Sequence, residues 1–201
     1  MRPAMSRIGT YNHMDKLVID IETKNTFADV GGQDHLIDLD ISFVGVYSYN
    51  QNAYLSFFEN ELQKLAPILK KTGLIIGFST NRFDIPILNK YFNFNLKAIE
   101  SLDIFDEIEQ QLGHRISLDH LAHTNLGIGK TAHGLEAITF YKEKRFEELK
   151  NYCLNDVRIT KDLYELGKSQ GHLIVPERAT GEMVKVAFDW SERLPMPATL
   201  F

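Results

Sequence analysis

Apolar positions along this chain follow two different rhythms. Lys16 to Thr23, Lys-Leu-Val-Ile-Asp-Ile-Glu-Thr, is a short run of β-branched residues and leucine. It is too short for a free-standing helix and predicts a buried strand over about 16–22. Residues 41–49 and 53–58 read as two more strands, with Asn50-Gln51-Asn52 as a hairpin turn between them. The first three strands therefore predict an antiparallel meander. The period then changes. Leu62, Leu65, Ile68 and Leu69 recur at helical spacing, with Gly73 as a stop. Leu74 to Phe78 is a continuous apolar run, as in a buried parallel strand. Asp84-Ile85-Pro86 opens a helix, with Asp84 suited to capping it and Pro86 tolerated in its first turn. Residues 101–104 predict another strand. From about 105 the chain reads mostly helical, with a loop at Gly127–Gly134, a last long helix over 146–168 ending at Gly167, and a late strand at 183–188. The pattern is α/β: a mixed sheet in which a meander is followed by parallel strands, with helices packed against it.

The 201 residues are enough for one domain with a full core. Residues 1–15 are polar and irregular and predict a loose arm, 16–190 the domain, and 191–201 a tail. At 44% hydrophobic and 24% charged the composition is that of an ordinary globular protein. A net charge of −5 argues against a basic protein that coats nucleic acid, though divalent metals in an acidic site would cancel much of that charge. One cysteine, Cys153, excludes an internal disulfide framework and fits a reducing compartment. No segment is apolar for the length of a membrane span, and no signal-like run opens the chain. The expected location is the cytoplasm, with no membrane partner.

Chemistry enters with the acids. Asp20 and Glu22 are two apart on a predicted strand, so they share a face. Paired carboxylates on a buried strand repel each other unless something compensates them, and hard oxygen ligands of this kind suit a divalent cation. A strand end with Glu22 already in solvent is the alternative. Asp84 follows the apolar strand at 74–78, where sites of α/β sheets gather, but an isolated Asp there also reads as a helix cap. Tyr152 and Asp156 are four apart and share a helix face.

The order of these residues is more telling than any one of them. Asp20-x-Glu22, then Asp84 shortly after the Gly77-Phe78 strand end, then Tyr152-x-x-x-Asp156 resembles the three exonuclease motifs of the DEDD superfamily of 3′–5′ exonucleases. One branch of that superfamily has His five residues before the last Asp, where this chain has Asn151. The other has Tyr four before it, as here. The chain is therefore similar to the tyrosine branch (DEDDy), nearest to predicted exonucleases related to the proofreading domain of family B DNA polymerases. The resemblance runs over about 16–167 and takes in Ser117 to Ala122 and Gly127 to Gly134. One departure is that the family's second motif usually has Asn directly after the Gly-aromatic pair. Here that residue is Ser79, with Asn81 two further on.

The resemblance implies a ribonuclease H-like fold with helices on both faces of the sheet, and a metal-dependent nuclease that removes nucleotides from 3′ ends. Two divalent cations, Mg²⁺ or Mn²⁺, would activate water and stabilise the phosphoryl charge and leaving oxygen. Asp20 would bridge both, Glu22 and Asp156 would hold one, and Asp84 the other. Tyr152 would orient the attacking water. Ile21 and Thr23 would contact the terminal nucleotide with Phe83 close by, and Ser79 or Asn81 would make the second motif's polar contact. Apart from the resemblance, the loop at Gly127–Gly134 reads as lying near substrate phosphates, with Lys130 and His133 as contacts. The expected substrate is a single-stranded DNA 3′ end, in a DNA-repair setting, with RNA as the alternative. A ribonuclease H-like binding module without catalysis is the competing function.

Weaker signals remain. Gly127-Ile128-Gly129-Lys130-Thr131 ends like a P-loop, but Thr124 stands where that motif needs Gly. His120 and His123 share a helix face without an acidic partner motif. The ending Thr199-Leu200-Phe201 faintly resembles peptides that dock on the bacterial sliding clamp, with Pro197 in place of the usual Gln.

Overall fold

The computed structural model describes residues 14–128, 134–177 and 180–190. The expected arm over 1–13, Lys130 with the rest of 129–133, and the expected tail over 191–201 lie outside the described residues. The elements are β1 (Asp15–Thr23), β2 (Ile41–Ser48), β3 (Ala53–Phe58), α1 (Leu62–Leu69), β4 (Thr72–Gly77), α2 (Asp84–Asn89), β5 (Glu100–Asp103), α3 (Ile104–Leu112), α4 (Leu118–Leu126), α5 (Gly134–Lys142), α6 (Phe146–Gln170), β6 (His172–Pro176) and β7 (Met183–Ala187). Five strands form one sheet in the order β3-β2-β1-β4-β5, with β1 at the centre. The first three pair antiparallel, while β1–β4 and β4–β5 are parallel. This is the α/β mixed sheet that the hydrophobic pattern predicts.

Alternation along β1 divides the core. Leu17, Ile19 and Ile21 pack with Leu62, Leu65 and Leu69 of α1 and Ile85, Ile87 and Leu88 of α2. Val18, on the other face, packs with Ile104, Ile108, Leu121, Val157 and Leu163 from α3, α4 and α6. Helices thus cover both faces. Asp20 and Glu22 have the same parity as Val18 and so belong to the α6 side.

Most boundaries shift by a residue or two from the sequence pattern, and three of the differences have a physical reason. β1 begins at Asp15, whose buried carboxylate accepts from Ser48 Oγ at 2.5 Å and from the Asn50 N–H at 2.9 Å, tying the strand to the hairpin turn. Gly73 lies inside β4, and α1 has already ended at Leu69. Gly167 does not end α6, which runs on to Gln170 and stops at Gly171, φ +72°. The short β6 then pairs antiparallel with β7 as a separate hairpin.

Gly167 has a packing role. A Cβ there would sit 2.2 Å from Trp190 Cζ3. Trp190 stacks on Tyr164 with ring centroids 5.5 Å apart, and its Nε1–H donates to Glu107 Oε2 at 2.7 Å. The notch lets the segment after β7 close over α6. Gly167→Ala is therefore expected to displace Trp190 and cost about 1–3 kcal/mol, the scale of an overpacked core. Urea unfolding followed by tryptophan fluorescence checks this, and an unchanged midpoint would remove the notch from the account.

Candidate active site

Asp20 and Glu22 sit on the central strand just before its carboxyl end. Glu22 is 9% exposed, so it is not a solvated strand end. In the ladder Asp20 pairs with Gly45 and Glu22 with Phe43. Donor atoms of Asp20, Glu22 and Cys153 all lie within 4.8 Å of one another. His120 and His123, both exposed, are not part of this cluster.

Helix α6 supplies the next group, and one missing side chain decides how near it comes. A Cβ on Gly45 would meet Cys153 Sγ at 2.9 Å, Val157 Cγ2 at 3.0 Å and Leu154 Cδ2 at 3.2 Å. The helix lies in the space that the glycine leaves. The buried thiol of Cys153 is 3.3 Å from Asp20 Oδ2 and 3.5 Å from the Asp20 carbonyl oxygen, within donating distance of both. Tyr152 is 7% exposed and Asp156 6%. The Tyr152 ring meets Phe140 of α5 edge-on, centroids 6.5 Å apart. Burial pushes the Tyr152 hydroxyl far above its ordinary range, and the negative charges of Asp156, Glu22 and Asp20 push it further in that order. The same surroundings raise the Cys153 thiol, burial first and then Asp20 and Glu22. Both groups keep their protons at neutral pH.

Asp84 arrives from the other side of β1. The last β1–β4 pair is Val18 with Ile76, and β4 ends at Gly77. Beyond that point the Asp84 carboxylate takes over, accepting the Ile21 N–H at 3.0 Å. Asp84 does not cap its own helix: the N-cap position is Phe83, with no side-chain cap. The capping role allowed by the sequence is thus replaced by a bond across the sheet, between the two acids of β1. Asp84 is 4% exposed, and burial, only partly offset by the Ile21 and Asp84 backbone N–H groups, pushes its pKa up to about 7.

The turn that delivers Asp84 hangs on a residue the motifs do not name. Asp103, 3% exposed at the end of β5, accepts the Ser79 N–H at 2.8 Å and the Asn81 N–H at 2.9 Å. It also caps α3 through the Phe105 N–H at 3.0 Å. Ser79 is left-handed, φ +65°, a conformation that Asn adopts more readily than Ser. An Asp at a strand-to-helix boundary is a cap signal that could have pointed to Asp103.

The expected nucleotide contacts occupy varied positions. The Ile21 side chain is core and its N–H is taken by Asp84. Thr23 Oγ1 donates to the Asn25 carbonyl at 2.9 Å. Phe83 meets Phe27 edge-on, centroids 6.1 Å apart, beyond the end of β1. The Asn81 side chain is bonded to Asp106 and Ser101.

A family of known proteins matches most of this architecture. The RNase H superfamily profile covers residues 17–167, and the chain belongs to that superfamily. No curated protein matches the sequence. Among solved structures, the family B DNA polymerase from the hyperthermophilic archaeon Pyrobaculum calidifontis is similar at a TM-score of 0.59 and 16% identity, over 77% of this chain and 24% of that one. The E. coli ExoI–ssDNA complex in its zinc-bound form is similar at a TM-score of 0.52 and 14% identity, over 78% of this chain and 41% of that one. The chain thus spans less than half of either structure, and at these identities the likeness is one of fold. Among the described residues no helix is long and apolar enough to cross a membrane.

Two outcomes follow from the geometry. Gly45→Ala is expected to push α6 off the sheet, costing about 1–3 kcal/mol in urea unfolding. Wild-type stability would show that the helix tolerates the Cβ. The second concerns pH. The raised Asp84 pKa means that between its unfolded value near 4 and its folded value of about 7 the native state holds a proton that the unfolded state has lost. Asp84 therefore lowers stability as pH rises through that window. The stability of wild type minus that of Asp84→Asn, both measured in EDTA, should fall from about pH 4 to 7. A pH-independent difference would contradict the buried carboxyl.

Proposed function

We propose that this chain is a metal-dependent 3′–5′ exonuclease of the tyrosine branch of the DEDD group, acting on single-stranded DNA. The observation that carries the reading is the surroundings of the β1 acids: Asp20 and Glu22 lie together, the Tyr152 hydroxyl feels the charges of Asp156, Glu22 and Asp20, and Asp84 accepts the N–H of Ile21 between them. The donor set fits hard divalent cations, since Asp20, Glu22, Asp84 and Asp156 offer oxygen ligands in an enclosed site where their charges would otherwise oppose one another. Asp20 and Glu22 with Asp156 on one side, and Asp84 on the other, would hold Mg²⁺ or Mn²⁺.

When bound, such ions activate water and stabilise charge on the phosphoryl oxygens and the departing 3′-oxygen. The chain's own groups supply orientation. Tyr152 retains its proton, so it acts as a hydrogen-bond partner that aims the water and not as the base that deprotonates it. Water adds to phosphorus, the bond to the 3′-oxygen of the preceding nucleotide breaks, and a mononucleotide leaves. Preference for single-stranded DNA is supported by the neighbouring fold, which was solved with ssDNA bound, and by the polymerase neighbour.

The test separates ligands from the orienting hydroxyl. On 5′-labelled DNA with Mn²⁺, wild type should give a descending ladder, and chelation should abolish it. Asp20→Asn should lose both metal binding and activity. Tyr152→Phe should keep Mn²⁺ affinity while its single-turnover rate falls roughly 10²–10⁴-fold, the scale of one positioned proton-transfer group. Early release of the 5′ label as a mononucleotide would reverse the polarity. Wild-type rate in Tyr152→Phe would make the tyrosine a packing residue. Metal binding without hydrolysis of DNA or RNA would leave a binding module.

A further inference from the structure

Across the meander, Glu22 pairs with Phe43 and Phe43 with Phe58, so Phe58 lies two strand spacings, about 10 Å, from the proposed metal ligand Glu22. Beside it opens a pocket of about 420 Å³ lined by Ser42, Phe58, Glu59, Asn60, Tyr141 and Phe146. That volume lies within the range of small-ligand sites. Three of the six walls are aromatic. Phe146 meets Phe58 edge-on at 5.5 Å and Tyr141 at a tilt at 6.2 Å and remains 40% exposed, so its ring is open to a ligand. Ser42 is 1% exposed, and its hydroxyl has no hydrogen-bond partner among the described residues. A polar group walled in without a partner costs the free protein stability. Lys24, which directly follows the acidic strand, pairs with Glu59 and sits 5.7 Å from the Tyr141 ring centre, placing a cation beside the aromatic walls.

We propose that this pocket is a base-binding subsite: it takes one nucleobase of the substrate strand, next to the nucleotide being removed. The inference rests on the exonuclease reading and adds to it where the strand is gripped. A base is flat and apolar on its faces and polar at its edge, which matches aromatic walls beside Asn60 and the Lys24–Glu59 pair. A lysine beside the walls suits the phosphate that accompanies the base. None of these residues belongs to the carboxylate set.

The experiment measures binding of the full chain to single-stranded DNA in EDTA, at fixed salt, with one base at a time replaced by an abasic site. In wild type, one position near the 3′ end should carry a loss of roughly fivefold or more, the scale of one stacked base. In Phe146→Ala that positional loss should shrink to less than about twofold, because the base has already lost its wall. A uniform response to abasic sites, or a positional loss of the same size in Phe146→Ala, would overturn the subsite. Hydrolysis with Mn²⁺ on the same preparations keeps the two readings apart. Hydrolysis with no positional loss removes the subsite alone, whereas a positional loss without hydrolysis keeps the subsite and removes the exonuclease.

Discussion

The site depends on how closely α6 can lie against the sheet, and that distance is set by the absence of one Cβ at Gly45. Cys153, Val157 and Leu154 fill the space it leaves. Because Gly45 is the ladder partner of Asp20, the closest approach of helix to sheet falls beside the first acid of the site. Tyr152 and Asp156, one residue before Cys153 and three after it, are carried in by the same contact. A glycine in a strand interior weakens the strand and often marks such an approach. Here the weakness is located where proximity of the helix serves the chemistry.

The second constraint is electrostatic. Carboxylates are brought into poorly solvated positions on β1, α2 and α6, and the fold supports them with local hydrogen bonds. Asp84 is held by the Ile21 N–H in the place where β4 no longer pairs with β1, and Cys153 offers its thiol to Asp20. Asp103 anchors the turn before α2 without entering the site. Burial raises the pKa of both Asp84 and Asp103, and Asp84, pushed up to about 7, stands at the edge of ionisation at neutral pH. A divalent cation would draw Asp84 fully into the charged form. Assembly of the metal centre and stability of the fold are in this way linked.

Much of this was legible in the sequence because two spacings carry geometry. Two residues on a strand and four on a helix each return to the same face, so the Asp20–Glu22 and Tyr152–Asp156 pairs could be placed before any coordinates. The meander and the parallel strands followed from the change of hydrophobic period. Other features depend on contacts between distant segments and left no local signal. Gly45 lies unremarked inside the predicted strand over 41–49, because nothing local shows that α6 is laid on it, and Cys153 carries no local sign of its contact with Asp20. Asp84 reads as a helix cap, because nothing nearby in sequence shows that the Ile21 N–H has lost its strand partner. Gly167 reads as a helix stop, although its use is to admit Trp190. The β6 strand, His172–Pro176, falls in the stretch between the predicted last helix and the predicted late strand, where the hydrophobic pattern assigned no element.

The central claim is that four carboxylates from β1, α2 and α6 together hold two divalent cations. Electron paramagnetic resonance during Mn²⁺ titration of the full chain tests it directly. The account predicts two Mn²⁺ bound per chain, with the spectral signature of exchange coupling between neighbouring ions sharing a bridging carboxylate. One ion per chain, or two ions with uncoupled spectra, would contradict it.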